Sequence, residues 1–551
     1  MAREAETVDF VRTLARAEAA SNAEQWDSAA SLWEQVVAAN PVTGQFWRRL
    51  ADARYHRQEY ATAQGAYARA LALGEGYPGE VTYRIACCAA QLGQRDEAMV
   101  ALRRALDLGF RHLDTARDDD AFAALRGDAE YRRLVGLIDP EAMSRDDAWR
   151  FDLQFLAREV KRRAYDPFRH VSEETFDLAL HSLSDAVPHL TDLQIVAGLM
   201  KLLRPLGDGH ARIIPPPEWE EPRQTLPLQF YLFEEGLFIT AAAAAHHDLL
   251  GAQVHQFGER PVAKMLAEID PLLSRDNEQW PTEIAPPRLR QLPLLHALGL
   301  VNDPQAVDLT VTTLDGGVRT VSIATESLPP NKPRDKPYTC PPGWRFFPDT
   351  LADPLPRYLR NAVLSYWFDS IPEERTVYFQ FNQVRDDPQE PFADFTRRLF
   401  AVLDDHEVER FVIDIRWNDG GNTFLEMPFL HRLIGHRINR RGGLFVIIGR
   451  RTFSAAQNFA TLIDRHTEAI FVGEPTGSSP TFVGETVEFE LPYSHVQANV
   501  SDLLWQSSWP MDYRAWLPPT LYTPPTFAAY RANRDPAMEA ILSYREHLPG
   551  W

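Results

Sequence analysis

A predominantly apolar strand that runs directly into paired glycines decides the fold of this chain: residues 412–422 read VIDIRWNDGGN. Residues 411–415 have the near-continuous apolar character of strands that are covered on both faces of a sheet. Gly420 and Gly421 carry no side chains, so a ligand can approach the backbone N–H groups of this turn closely. We therefore expect a buried sheet with a functional turn at the end of this strand.

The sequence around this strand alternates between strand and helix patterns. The predicted strands are residues 377–381, 411–415, 444–448 and 469–472, and the predicted helices are residues 392–403 and 454–463. This alternation indicates an α/β layer. Ser454 stands at the start of the second helix, where a serine usually caps the helix.

The preceding 230 or so positions have mixed character. Residues 145–205 are predicted to be helical, and the turn Gly207–Gly209 then presents His210 before a short strand at 211–214. Residues 224–325 read as strands with a helical insertion around 263–298, and this region resembles a degenerate PDZ-type module. The proline-rich stretch 326–360 is predicted to be a linker or a lid.

Repeats occupy the N-terminal part of the chain. Ala29, Ala63 and Ala98 are 34 and 35 residues apart, each on an apolar helical face. Residues 22–112 resemble tetratricopeptide repeats, and residues 113–140 continue as helix. We expect either a peptide-binding groove or a scaffold for docking or dimerisation, and in both cases a protein partner would bind through the repeats.

Composition narrows the classes of partner. The 551 residues include 57 Lys and Arg against 77 Asp and Glu, a formal net charge of −20. Such a surface repels phosphate backbones and anionic membranes, so we expect neither a nucleic-acid nor a membrane partner. Acidic residues near the start (Glu4, Glu6, Asp9) interrupt the apolar run of a secretory signal, so we expect a cytoplasmic protein.

No metal or cofactor site is expected. The three cysteines cannot form a four-cysteine zinc site, and His246, His247 and Asp248 lack the spacing of known metal motifs. Residues 473–479 resemble a phosphate-binding loop but lack its Gly-Lys-[Ser/Thr] signature.

Three motifs in a fixed order point to a family. They are DIRWNDGG at 414–421, TFSAA at 452–456 and GEPTG at 473–477. Together they resemble the serine peptidases of the C-terminal processing (tail-specific) and tricorn-core family, over about residues 145–550. The resemblance implies an α/β crotonase-like (Clp/crotonase) peptidase core with a helical N-terminal cap and a degenerate PDZ-like module, here preceded by an all-α tetratricopeptide solenoid.

These expectations divide the chain into four parts. Residues 1–140 form the repeat domain, 141–220 the helical cap that carries His210, 221–325 the PDZ-like module and 326–551 the α/β catalytic core.

The resemblance also implies roles for individual residues. Ser454 is the expected nucleophile, and it needs a neighbouring base. Many relatives use a lysine after the serine, but the last lysine here is Lys336. The tricorn-core branch uses an upstream histidine instead, and His210 matches that position; an imidazole suits general base catalysis near neutral pH.

Two amides and an acid complete the expected site. The helix N-terminus places the Ala455 N–H as one oxyanion donor. The family pattern implies Gly420 as the second donor, with Gly421 as the fallback. The tricorn branch orients its histidine with a C-terminal acid, for which Asp512 is the candidate and Asp208 the runner-up, and Asn382 is expected to line the site. Gly209 replaces the serine that precedes the histidine in that branch.

The predicted function is a serine peptidase that hydrolyses peptides or unfolded proteins through an acyl-enzyme on Ser454. Two alternatives stay open: a catalytically silent binding or scaffold protein with a hydrolase fold, and an acyl hydrolase that does not act on peptides.

Overall fold

A computed structural model describes residues 2–75, 77–139, 142–217, 219, 223–327, 341–351, 354–405 and 407–545. The chain divides into two compact units, Met1–Arg163 and Ala164–Trp551. The boundary between the units lies at the C-terminal end of the helix Arg145–Arg163, whereas the sequence analysis placed a boundary at residue 140.

Helices make up the first unit. The α-helices are Ala2–Asn22, Trp26–Ala39, Gly44–His56, Tyr60–Ala72, Pro78–Gln91, Arg95–Asp107, Leu113–Asp118, Ala129–Val135 and Arg145–Arg163, and Asp120–Leu125 is a 3₁₀-helix. Consecutive helices from Ala2 to Asp107 pack against one another. Ala29, Ala63 and Ala98 are fully buried, because a small side chain lets neighbouring helices approach closely.

The second unit combines helices and strands. Its α-helices are Glu173–Ala186, Asp192–Leu203, Val262–Ile269, Trp280–Arg288, Leu292–Ala297, Arg357–Arg360, Phe392–Leu403, Met427–Ile434, Ala455–His466, Phe527–Tyr530 and Pro536–Ser543. Its strands are Arg212–Ile214, Gln224–Thr225, Leu228–Phe233, Gly236–Ala243, Gln253–Phe257, Arg260–Pro261, Ala306–Thr312, Val318–Ala324, Glu326–Ser327, Trp344–Phe346, Tyr366–Ile371, Thr376–Phe381, Arg410–Asp414, Leu444–Ile448, Ile470–Gly473, Thr481–Glu490, Gln497–Gln506 and Leu521–Tyr522.

A six-stranded sheet, here called the parallel sheet, forms the centre of this unit. In spatial order its strands are Tyr366–Ile371, Thr376–Phe381, Arg410–Asp414, Leu444–Ile448, Ile470–Gly473 and Leu521–Tyr522. The first pair is antiparallel and the others are parallel, with Ile413 in register with Phe379 and Val446. Apolar clusters cover both faces, as the apolar strand pattern predicted.

A seven-stranded sheet occupies the region 228–346, and its paired strands run antiparallel. The helices between Val262 and Ala297 interrupt it, which confirms the predicted helical insertion. Of the stretch 326–360 that was predicted to be a linker or lid, residues 328–340, 352 and 353 lie outside the described residues. The part that is described includes a strand, Trp344–Phe346, that pairs with Gly236–Ala243.

A long hairpin was not predicted. Its strands are Thr481–Glu490 and Gln497–Gln506, and the second also pairs with Arg212–Ile214 directly after His210. The hairpin therefore connects the histidine turn to the C-terminal half of the unit.

None of the helices in the described ranges combines the length and the apolar character that crossing a bilayer requires.

Candidate active site

Ser454 has an unusual backbone conformation at the start of the helix Ala455–His466. Its φ and ψ are 56° and −126°, a combination that residues with a side chain rarely adopt. Its side chain makes no capping hydrogen bond to the helix that it precedes. The usual role of a serine at this position is therefore not the role of Ser454, and a strained residue of this kind is typical of functional sites.

Hydrogen bonds fix the loop before Ser454 against the glycine turn. The Phe453 N–H donates to the Asn418 carbonyl at 3.1 Å, and the Thr452 hydroxyl donates to the Ile415 carbonyl at 3.0 Å. The buried Arg451 guanidinium donates to Asp419 at 2.6 Å. The serine is thus held against the end of the strand Arg410–Asp414.

Gly420 lies directly against the serine. A Cβ atom at this position would lie 2.7 Å from the Ser454 Cβ and 2.9 Å from the Ala455 nitrogen, and the φ of Gly420 is 107°. Only glycine satisfies both conditions. The Gly420 N–H donates to the Asn418 side-chain oxygen at 2.9 Å, so this amide already has an acceptor.

The amides of Gly421 and Ala455 differ from that of Gly420. Among the hydrogen bonds of the described residues, none has the N–H of Gly421 or of Ala455 as its donor. The backbone groups on either side of Gly421 bond to Val384, the Gly420 carbonyl accepting at 3.0 Å and the Asn422 N–H donating at 2.7 Å. Gly421, which the sequence analysis gave as the alternative oxyanion donor, therefore has an N–H that donates to none of the described residues, unlike the N–H of Gly420.

His210 is held by its turn and by two aromatic rings. Its backbone N–H donates to Asp208 Oδ1 at 2.9 Å, and its Nδ1 lies 3.9 Å from the same oxygen. The centroid of the imidazole lies 4.6 Å from that of Phe453 and 5.9 Å from that of Phe482. Phe453 precedes Ser454, so the imidazole packs against the neighbour of the serine.

His210 and Ser454 line the same cleft, which has a volume of about 660 Å³. Trp280, Glu283 and Arg288 line it from the helix Trp280–Arg288. Residues that are 244 positions apart in the chain thus face one space that is large enough for several residues of a peptide.

Two carboxylates approach the imidazole. The nearest side-chain atoms of Asp208, His210 and Asp276 all lie within 4.8 Å of one another. Carboxylates and an imidazole at this spacing have the chemistry to bind a divalent cation. However, all four carboxylate oxygens already accept hydrogen bonds, from His210, Ser501, Gly209 and Ser478. The two hydrogen-bonded carboxylates and the imidazole form an acid–base cluster.

Asp512, which was expected to orient His210, has its carboxylate hydrogen-bonded to other residues. Its carboxylate accepts hydrogen bonds from Ser508 and Arg514, and Arg514 in turn donates to Asp464 at 2.9 Å. Asp464 lies near the end of the helix that Ser454 begins, about 14 Å along its axis. The hydrogen bonds from Arg514 hold the pKa of Asp512 well below its usual value. The sequence of an irregular loop does not indicate with which residue the carboxylate of Asp512 will pair.

Asn382, which was expected to line the site, has a structural role instead. It is buried, and its side-chain amide donates to the carbonyls of Ala362 and Leu364. Its oxygen accepts from Gln380 at 3.0 Å.

Asp414 and Arg416, the charged residues of the DIR motif, hold the helix Pro536–Ser543, here called the closing helix. The Arg416 guanidinium donates to both oxygens of Asp535, at 3.0 and 2.9 Å, and also to Asp414. Asp535 caps the helix Pro536–Ser543. The motif therefore connects the central strand to the end of the fold.

Sequence reasoning missed Asp276 and Trp280. Both come from the helical insertion, and the Trp280 ring stacks on Phe453 with centroids 4.1 Å apart. Nothing in the local pattern around either residue distinguishes it from an ordinary core or turn residue.

Comparison with solved structures shows which fold this is. Mature CPAF in complex with lactacystin aligns with 72% of this chain and 97% of its own, at 12% identity and a TM-score of 0.50. A CPAF mutant aligns over 74% and 99%, at 11% identity and a TM-score of 0.50. The photosystem II D1 C-terminal processing protease aligns over 73% and 97% at 12% identity, with a TM-score of 0.35. No protein-family model matches the chain, and neither does any curated protein. The chain thus shares the fold of CPAF, and fold alone does not determine function.

Proposed function

We propose that this protein is a serine peptidase of the C-terminal processing and tricorn-core type, with Ser454 as nucleophile. One observation carries the proposal: Ser454 adopts a strained conformation at a helix start, does not cap the helix, and faces the cleft that also holds His210. A serine that is placed only for structure has no need of this conformation.

In the proposed reaction, His210 removes the proton of the Ser454 hydroxyl as its oxygen attacks the peptide carbonyl. Its Nδ1 lies 3.9 Å from an Asp208 oxygen, and Nε2 is the nitrogen that we assign to the hydroxyl proton. The imidazolium then gives the proton to the leaving amine as the C–N bond breaks, which leaves an ester on Ser454. A water molecule, deprotonated by the same imidazole, hydrolyses this ester and releases the carboxylate product.

Two backbone amides are proposed to stabilise the oxyanion. The Ala455 N–H lies at a helix N-terminus, where the dipole favours negative charge. Gly421 is the proposed second donor, because the Gly420 amide is bonded to Asn418. Gly420 itself is needed for its lack of a side chain beside Ser454.

We also propose the finer architecture. The parallel sheet and its covering helices suit a crotonase-like core, and the seven-stranded antiparallel sheet suits a degenerate PDZ-like module. The buried alanines at a spacing of 34 and 35 residues support a tetratricopeptide solenoid in the first unit, with a protein partner.

Peptide hydrolysis tests the proposal. We expect wild-type protein to cleave an unfolded protein or a fluorogenic peptide, and Ser454→Ala to lose at least about 10³-fold in kcat/KM. The control Ser31→Ala changes an exposed serine of the helix Trp26–Ala39 and should retain full activity. Wild-type activity that survives in Ser454→Ala would refute the assignment.

The alternatives predict other results. A silent scaffold cleaves neither peptides nor esters, and a different acyl hydrolase cleaves esters only, in a manner that depends on Ser454. A panel of matched peptide and ester substrates separates the three.

A further inference from the structure

A carboxylate from the helical insertion reaches the turn that carries His210. Asp276 lies just before the helix Trp280–Arg288, and its Oδ1 accepts the Gly209 N–H at 2.7 Å. A Cβ on Gly209 would lie 2.8 Å from that oxygen and 2.9 Å from the Phe453 ring. The glycine before His210 therefore permits the close approach of Asp276.

The other oxygen of Asp276 is also engaged. It accepts a hydrogen bond from the Ser478 hydroxyl, in the turn that follows the strand Ile470–Gly473. The adjacent Asn277 side chain donates to the carbonyls of Thr476 and Ala515, at 3.1 and 2.8 Å. Asp276 is thus held rigidly between the histidine turn and the parallel sheet.

Asp208 and Asp276 are placed differently with respect to the imidazole. The oxygens of Asp208 accept from the Ser501 amide and hydroxyl and from the His210 backbone N–H. Asp208 therefore shapes the turn and joins it to the hairpin. Asp276 comes from a separate segment, and one of its carboxylate oxygens lies within 4.8 Å of a ring nitrogen of His210 and of an oxygen of Asp208.

We propose that Asp276 is a positioning residue, which fixes the His210 turn and stabilises the imidazolium that forms when His210 accepts the serine proton. This inference rests on the proposed function. It makes the helical insertion part of the catalytic apparatus, because without it the imidazole would lose one of its two neighbouring acids.

The electrostatic surroundings support this role. Burial raises the pKa of Asp276 to about 7, while hydrogen bonds from Ser478 and Gly209 act in the opposite direction. The charge of Asp208 raises this pKa further, and that of Arg169 lowers it. The charge of Asp276 therefore changes near neutral pH, within reach of the imidazole of His210.

The first test is Asp276→Asn. Loss of the negative charge makes the imidazolium less stable, so kcat should fall by about 10² to 10⁴-fold while KM changes little. The acidic limb of the kcat/KM profile should move to lower pH, because the pKa of His210 falls. The control Glu268→Gln removes an exposed acid from the same insertion and should change neither quantity.

A second variant acts in the opposite direction. Ser478→Ala removes a hydrogen bond that favours the charged form of Asp276. More of the carboxyl is then protonated at a given pH. Because the fully active form needs an ionised Asp276, the acidic limb should move to higher pH. If Asp276 had only a structural role, the acidic limb would not move in opposite directions in the two variants.

An NMR titration of the His210 imidazole gives a readout that does not need activity. Asp276→Asn should lower the pKa of His210 in folded protein, with its resonance assigned by comparison with His210→Gln. An unchanged pKa of His210, or a kcat within 3-fold of wild type, would overturn the role of Asp276. Wild-type protein that shows no hydrolysis dependent on Ser454 would overturn the proposed function instead, and the inference with it.

Discussion

The Phe453 ring stacks on the indole of Trp280, with centroids 4.1 Å apart and planes inclined by 12°. Phe453 precedes the strained Ser454, and Trp280 begins the cleft-lining helix of the insertion. The same Phe453 ring contacts His210. One aromatic contact thus connects the insertion to both residues of the proposed catalytic pair.

Removal of this stack should destabilise the second unit. Trp280 is 4% exposed, and Trp280→Ala should lower the free energy of unfolding by about 3–5 kcal/mol. Trp280→Phe keeps a ring against Phe453 and should cost less. Denaturant unfolding measures both, with Tyr513→Ala as the control, since Tyr513 is 85% exposed and should change stability by less than about 0.5 kcal/mol. Equal effects of Trp280→Ala and Tyr513→Ala would contradict the packing described.

The ion pair between Arg416 and Asp535 should matter far more than a surface pair. Asp535→Ala leaves the Arg416 side chain, which is only 14% exposed, without its bidentate partner, which should cost about 3–5 kcal/mol. On the same helix, Glu539 pairs with Arg534 at the surface, where solvent screens the charges, so Glu539→Ala should cost much less. Unfolding by urea compares them, and a similar cost for both would show that the DIR motif does not hold the closing helix.

Gly420 tests the fit of the glycine turn against the serine. Gly420→Ala would place a methyl group 2.7 Å from the Ser454 Cβ, so activity should fall by at least about 100-fold. Gly435→Ala is the matched control, because Gly435 has helical φ and ψ and open space around its Cβ position. Steady-state kinetics of both variants give the answer, and a fully active Gly420→Ala would mean that the turn does not abut the nucleophile.

Several elements were predictable because their signals are local. The helix Phe392–Leu403 and the strand Leu444–Ile448 have the predicted bounds. An amphipathic period indicates a helix, and an apolar run of only five residues is typical of a buried strand. Ser454 and His210 were found through motifs, and the structure places both in one cleft.

Contacts between distant segments could not be predicted from the sequence. Asp276 reaches Gly209 across 67 positions, and no periodicity encodes such a pairing. Asp512 was expected to orient His210, but its loop pairs with Arg514 instead. The hairpin strand Thr481–Glu490 could have been found, because its second half alternates between exposed polar and buried apolar residues. Val487 and Phe489 are buried, and Thr486, Glu488 and Glu490 are exposed.

Glu426 should make stability depend on pH. It is fully buried, and none of the described residues forms a hydrogen bond with its carboxyl oxygens. Burial raises the pKa of Glu426 well above 4.5, so the folded protein keeps a proton that the unfolded chain releases. The folded state therefore loses stability as pH rises above 4.5 towards the raised pKa.

Glu426→Gln removes this ionisation. The variant should be more stable than wild type at pH 8, and its advantage should shrink towards pH 4.5. Unfolding curves at both pH values measure this, with the exposed Glu468→Gln as the control. An advantage that is the same at both pH values would contradict a protonated, buried Glu426.

The identity of the nucleophile is tested most directly by labelling with a fluorophosphonate and mapping the adduct by mass spectrometry. The reagent should modify one serine of the native protein, Ser454, and modification should slow strongly in His210→Gln. An adduct on another serine, or equal labelling of native and denatured protein, would contradict the proposal that Ser454 is an activated nucleophile.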